Sequence, residues 1–266
     1  MLHQPYIREV ADARVAVLMV HGILGSPRHF DFLMPYIPAD WSVYNIVLDG
    51  HGGTVRDFAR TGRKKWEAQV TREVRAVCGR YDRVVVVAHS MGCMLSMNAI
   101  VKEGLEDKIA AMFFLGAALR PKCGWPIVRM AFRMLFCKPD PDDPCERAAR
   151  MRCGTALHRR LWAYLGWIPR FLELFSLAAY TSRRVPDYKL PITVLQSWHD
   201  EVVGRGSIKP FLKNPHVKAS FLPMSSHFYY TPEDERTIRL SFNRVLADVQ
   251  KKTKIIASVI DKPKIF

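Results

Sequence analysis

A serine between small residues offers the first candidate chemistry. Residues 84–92 read VVVVAHSMG. The four valines form a β-branched apolar run of the kind buried on both faces of a parallel sheet. From residue 91 to 102 the pattern becomes helical, with Met94, Leu95, Met97, Ile100 and Val101 at the apolar positions. The chain must therefore turn from strand to helix at Ser90. Strand and helix approach so closely at such a turn that only small side chains fit two places before and after it, where Ala88 and Gly92 stand. The turn lifts the Ser90 hydroxyl to the C-terminal edge of the sheet. It also leaves the Met91 N–H at a helix N-terminus, where developing negative charge is favoured. The chemistry on offer is nucleophilic attack through Ser90; the plain alternative is a serine that merely caps a helix.

A hydroxyl becomes a useful nucleophile only when a base takes its proton and a third group orients the base. Two later strand-like runs end in suitable residues. Residues 192–196 (ITVLQ) lead into SWHDEVV, which carries Asp200 and Glu201, and residues 217–222 (VKASFL) lead into SSHF, which carries His227. Nearer the N-terminus, residues 16–20 (AVLMV) run into HGILGSP, where Gly22 and Gly25 permit a tight loop that a ligand can approach. Residues 44–48 (YNIVL) run into DGHGGT.

These motifs resemble those of the α/β-hydrolases, and more narrowly of bacterial carboxylesterases and monoacylglycerol lipases. AHSMG is similar to the G-x-S-x-G elbow with Ala88 at its first position, DGHGGT to a G-H-G-x-[ST] loop, and Thr61-Gly62 with Trp66 to a T-G-x-x-x-W pattern. The resemblance covers residues 15–250 or so. It implies a triad of Ser90, Asp200 and His227 in that chain order, with Asp200 rather than Glu201 as the acid and Glu201 facing away. It also implies an oxyanion hole made by the Ile23 and Met91 N–H groups. His21, His51 and His199 are expected to fix loops. The implied reaction is hydrolysis of small-molecule carboxylic esters of short to medium acyl chain, monoacylglycerols being candidates, with no metal or organic cofactor. A thioesterase, an amidase or a C–C hydrolase would use the same triad, and a non-catalytic ligand-binding protein would retain the same fold.

The frame that must position these groups is expected to be an α/β-hydrolase fold, a mostly parallel sheet flanked by helices with a small helical cap after the sixth strand. Further helices are expected over residues 30–37, 66–81 and 234–251, and a buried strand over 109–115. Residues 116–188 break the rhythm. They hold no strand-like run but three helical patterns, at 127–136, 146–164 and 171–180, separated by prolines. The expected division is a core of residues 1–118 and 189–251, a cap of 119–188 and a basic tail of 252–266.

Composition narrows the rest. With 266 residues, 49% of them hydrophobic, the chain can bury one large core. Residues 119–190 hold 14 Lys and Arg against 6 Asp and Glu, about half of the net charge of +15. A basic, apolar cap suits an acyl chain beneath it and peripheral contact with an anionic membrane surface above it; a plain solvated surface is the alternative. Nucleic acid is not an expected partner, because no recognition module accompanies the charge. The six cysteines lack CxxC or zinc-ligand spacing, which reads as reduced structural thiols. No leader-like apolar stretch opens the chain, and the longest apolar tract, 161–180, is interrupted by Pro169, Arg170 and Glu173. A cytoplasmic location is the resulting expectation.

Overall fold

Alternation along the strands sets the layering. The computed structural model describes residues 3–260, with side chains through residue 255. Its strands are β1 Tyr6–Arg8, β2 Val15–Val20, β3 Ser42–Asn45, β4 Gly53–Thr54, β5 Arg83–His89, β6 Ile109–Leu115, β7 Thr155–Ala156, β8 Ile192–Ser197 and β9 Val217–Leu222. Seven join in the order β1-β3-β2-β5-β6-β8-β9, all parallel except β1, which lies antiparallel at the edge. β4 and β7 pair with each other, outside that sheet. Along β5, Val84, Val86 and Ala88 face one apolar cluster while Val85 and Val87 face another. β2 divides in the same way, with Ala16, Leu18 and Val20 opposite Val15, Val17 and Met19. A run apolar at every position is therefore a strand buried on both sides.

The helices are α1 Val55–Ala59, α2 Arg63–Arg80, α3 Met91–Glu103, α4 Trp125–Phe136, α5 Pro144–Arg152, α6 Ile168–Ser182, α7 Lys209–Leu212 and α8 Pro232–Ile260. On one face of the sheet α2 buries Trp66, Val70, Val74 and Val77, and α3 and α6 join the same cluster. On the other face α8 buries Ile238, Phe242, Leu246 and Val249, spaced as one helical stripe, with Phe242 against Phe113. Fold class and sheet are thus as expected: a mostly parallel sheet with helices on both sides. Among the described residues no helix is long and apolar enough to cross a membrane.

Several element boundaries differ from expectation. Residues 30–37 form no α-helix but two 3-10 turns, Pro27–Phe30 and Met34–Tyr36, because Pro35 cannot continue an α-helical hydrogen-bond ladder. The strand expected at 44–48 is displaced to Ser42–Asn45. The helical pattern at 146–164 ends at Arg152, β7 follows, and residues 161–167 form a 3-10 helix. The cause is Gly154, whose backbone is bonded to two core loops and so is withdrawn from a helix. α8 continues past residue 251 to Ile260; residues 261–266 of the expected tail lie outside the described residues.

Candidate active site

Ser90 sits where β5 becomes α3, with φ 54° and ψ −119°. That backbone conformation is sterically costly for a residue with a Cβ, so the surroundings must hold it. They do so by close packing. A Cβ on Gly92 would run into the carbonyls of Val20 and His21, and one on Gly22 would lie 2.6 Å from Ser90 Cβ. The Ser90 N–H donates to Leu115 O at 3.0 Å, and its own carbonyl accepts from Cys93 N at 3.3 Å.

Asp200 and His227 are brought together from the ends of β8 and β9. His227 Nδ1 donates to Asp200 Oδ2 at 2.8 Å, and both residues are buried. The second carboxylate oxygen, Oδ1, accepts from the N–H groups of Val202 at 2.9 Å and Val203 at 2.6 Å. Those bonds fix the carboxylate plane and hence the ring it holds. The imidazole rests against Gly116, where a Cβ would stand 3.3 Å from Nδ1 and Cε1. Burial alone would lower the His227 pKa, but the charge and hydrogen bond of Asp200, with the charge of Glu201, outweigh it and raise the group above 6.5. Ser90 Oγ makes no hydrogen bond to this ring among the described residues; β5, β8 and β9 deliver the three residues to one edge of the sheet.

Glu201 does not face away. Its Oε2 accepts from the His227 N–H at 3.0 Å, and burial raises its pKa. Both acids lie in the loop after β8, which ends at Ser197, and in a loop adjacent side chains need not point to opposite sides. Both acids therefore act on the same residue, one on its side chain and one on its backbone.

The loop after β2 is held by two histidines. His21 Nε2 accepts from Leu48 N at 3.0 Å, leaving Nδ1–H to donate to Gly22 O at 2.8 Å. His51 Nε2 accepts from Leu24 N at 3.0 Å, and its Nδ1–H faces the carbonyls of Leu48 and Asp49. Each must be neutral to do this, and burial keeps both pKa values down, that of His51 to about 4. Leu24 carries φ 55°, and Gly25 N donates to Gly22 O. With the N–H groups of residues 24 and 25 engaged, those of Ile23 and Met91 make no hydrogen bond among the described residues and are available to an oxyanion. His199 is exposed, its N–H donating to Ser225 O at 3.2 Å.

Sequence reasoning passed over a second group of histidines. His89, which precedes Ser90, has its ring 4.6 Å from that of His227 and stacks on His29 at 3.6 Å. His29 Nε2 lies 3.0 Å from Tyr230 Oη. Burial holds both well below 6.5. The only signal available was the x position of the elbow, which any residue type can occupy. Among the described residues no group of three or more His, Cys, Asp or Glu side chains is placed to hold a metal ion.

Solved structures of similar fold include a metagenome-derived lipolytic enzyme (LipS/LipT), 23% identical, TM-score 0.68, with 94% of this chain and 98% of that one covered. A soluble variant of monoglyceride lipase from Saccharomyces cerevisiae is 14% identical, TM-score 0.66, with 92% and 91% covered. The thioesterase domain of the curacin biosynthetic pathway is 16% identical, TM-score 0.56, with 91% and 99% covered. No curated protein sequence matches the chain. The model of the alpha/beta hydrolase family matches residues 17–251, and the protein belongs to that family.

Proposed function

We propose that the protein is a serine hydrolase that cleaves carboxylic esters through Ser90, His227 and Asp200. The observation that carries this is the buried 2.8 Å bond from His227 to Asp200 at the sheet edge where Ser90 is held in a strained turn. His227 Nε2 takes the Ser90 proton as Oγ attacks the ester carbonyl. The Ile23 and Met91 N–H groups receive the oxyanion, each such donor being worth roughly 3–4 kcal/mol. The alcohol leaves with the proton from His227, and a water deprotonated by the same ring releases the acid from the acyl-enzyme. Substrates are expected to be short- to medium-chain esters, monoacylglycerols among them. The lipolytic and monoglyceride lipase folds support that choice, and the thioesterase domain makes thioesters the competing class. The decisive experiment is hydrolysis of p-nitrophenyl esters of increasing acyl length by the wild type and Ser90→Ala. Turnover confined to the wild type supports the reading, and equal background rates at every chain length overturn it.

We further infer that residues 119–188 cap the site and that α4 touches anionic membranes. Trp125, Val128, Phe132 and Phe136 share one face of α4 and are 76, 48, 58 and 40% exposed. Lys122, Arg129 and Lys138, also exposed, lie beside them. An apolar helix face with a cationic margin suits the headgroup layer of an anionic bilayer. Co-sedimentation with phosphatidylserine vesicles, weakened by salt and absent with neutral lipid, is the expected result. Equal recovery in the supernatant with both lipids rejects it.

A further inference from the structure

Arg152, the last residue of α5, is buried in a place that the hydrolase reading does not require. It is 8% exposed and forms no ion pair among the described residues. Its Nη1 donates to the carbonyl of Phe228, the residue after His227, and its guanidinium lies 5.3 Å from the centre of the Tyr230 ring. Its Nε is buried without a partner. A cation withdrawn from water with no paired carboxylate is expensive to keep, and burial pulls its pKa below the ordinary arginine range. Asp31 and Glu235 reach it only through space. Such an arrangement points to a use for the guanidinium where it is.

Two residues later the same segment is committed to the opposite side of the site. Gly154 N donates to Leu24 O at 2.7 Å, next to the expected oxyanion donor Ile23, and Gly52 N donates to Gly154 O at 2.5 Å. A Cβ on residue 154 would run into Gly25 O, so no other residue fits without moving that loop. β7 then pairs Thr155 with Gly53. Residues 152–154 thus bridge the loop that carries the base and the loop that carries the oxyanion donor. The Arg152 anchor spans 76 positions of sequence and the Gly154 anchors span still more, and all come from the inserted segment.

We propose that residues 152–154 make the inserted segment a working part of the active site, with Arg152 the positioning residue for His227 and Gly154 the positioning residue for the oxyanion loop. This rests on the triad reading above. Arg152 acts in two ways. Its bond to Phe228 O and its contact with Tyr230 fix the loop that follows the base. Its charge also opposes protonation of His227. The other groups facing that ring are Asp200 and Glu201 from the loop after β8, which favour the imidazolium, and His89 from β5 with His29 behind it, both neutral. Arg152 is the one permanent cation in that set.

The test compares Arg152→Gln and Arg152→Lys with the wild type, counting rates per site titrated by a fluorophosphonate probe so that unfolded protein does not enter. Arg152→Gln is expected to lose roughly ten- to a hundredfold in kcat with KM within about twofold, as misplacement of a reacting group does. The acid limb of its kcat/KM profile should move up by about half a pH unit or more, because a charge opposing the imidazolium is gone. Arg152→Lys keeps the charge, so its limb should stay in place while kcat falls. Wild-type kcat per titrated site and an unmoved limb in the Gln variant overturn the proposal. If Arg152→Gln does not fold, the Lys variant decides: reduced kcat per site supports, and wild-type kcat per site overturns. Failure of the wild type itself to react with the probe would instead refute the triad reading.

Discussion

Helices α3 and α4 have almost the same length and a similar apolar content, yet the fold uses them in opposite ways. α3 buries nine of its thirteen residues, Met91 to Met97 without a gap and then Ala99 and Ile100. α4, with Trp125, Ile127, Val128, Met130, Phe132, Met134, Leu135 and Phe136 among its twelve, buries none. α3 packs on the sheet beside α2 and α6, so its hydrophobicity is consumed in folding. α4 is anchored through polar groups instead, Arg133 to Glu146 and Asp140, and Arg150 to the carbonyls of Arg133 and Met134. Of the nineteen large hydrophobic side chains exposed among the described residues, twelve lie between Trp125 and Tyr180. Apolar surface retained at that density on one segment is not consumed in the core, and it is the surface on which the proposed membrane contact rests.

The contrast can be broken most severely at the start of α3. Ser90→Ala should reduce kcat by at least about a thousandfold in a p-nitrophenyl ester assay while leaving the melting curve nearly unchanged. Next comes Met94→Ala, which removes a fully buried side chain and should cost about 2–5 kcal/mol in urea unfolding. A result within 0.5 kcal/mol of the wild type, on the order of an ordinary surface change, would mean that α3 is less well packed than described.

Titration sharpens the same division, because the buried histidines belong to the core. His227 has a raised pKa in the folded state and must be neutral to act, so kcat/KM should fall as pH drops through a midpoint above 6.5. A midpoint below 6.5 would contradict the dominance of Asp200 and Glu201 over burial. For stability the signs run the other way. His227 contributes stability that is complete below its unfolded value and lost as pH rises through its folded value. His21, His29, His51 and His89 have depressed values, so their contribution is present above 6.5 and is lost on acidification, for His51 between 6.5 and about 4. Four histidines oppose His227 and Glu201, whose pKa values are both raised, and Tm should decline as pH is lowered through that window. The smallest expected effect is the paired change Phe132→Ser and Phe136→Ser in α4. It should alter unfolding free energy by less than about 0.5 kcal/mol, yet reduce binding to phosphatidylserine vesicles severalfold.

What could be read from sequence, and what could not, follows the range of the signal. The β5–Ser90–α3 turn is a local pattern, since four valines, a serine and a helical stripe lie within twenty residues. Asp200 and His227 follow apolar runs in the same way, so resemblance could point to them and the structure joins them. Arg152 gave no such sign. It meets Phe228 across 76 positions of chain, from the end of a short helix where it shares the buried face with Ala148 and Ala149. The His29–His89 stack spans sixty positions, and nothing in either local sequence requires the other. The helix read over 146–164 failed for a related reason. Hydropathy does not register that Gly154 lies against the backbone of Gly25, and it is that distant contact which ends the helix.

Two exposed thiols bracket α4: Cys123 just before it and Cys137 at its C-terminal cap. Cys78 and Cys93 are buried, and Cys145 and Cys153 are partly covered. With a rise of 1.5 Å per residue, the exposed pair stands about 20 Å apart while the helix is intact. The native chain therefore carries its own ruler across the segment that least resembles a core. Spin labels or a donor–acceptor pair at these two positions would report whether α4 stays helical on a lipid surface, without engineering a cysteine into the rest of the molecule.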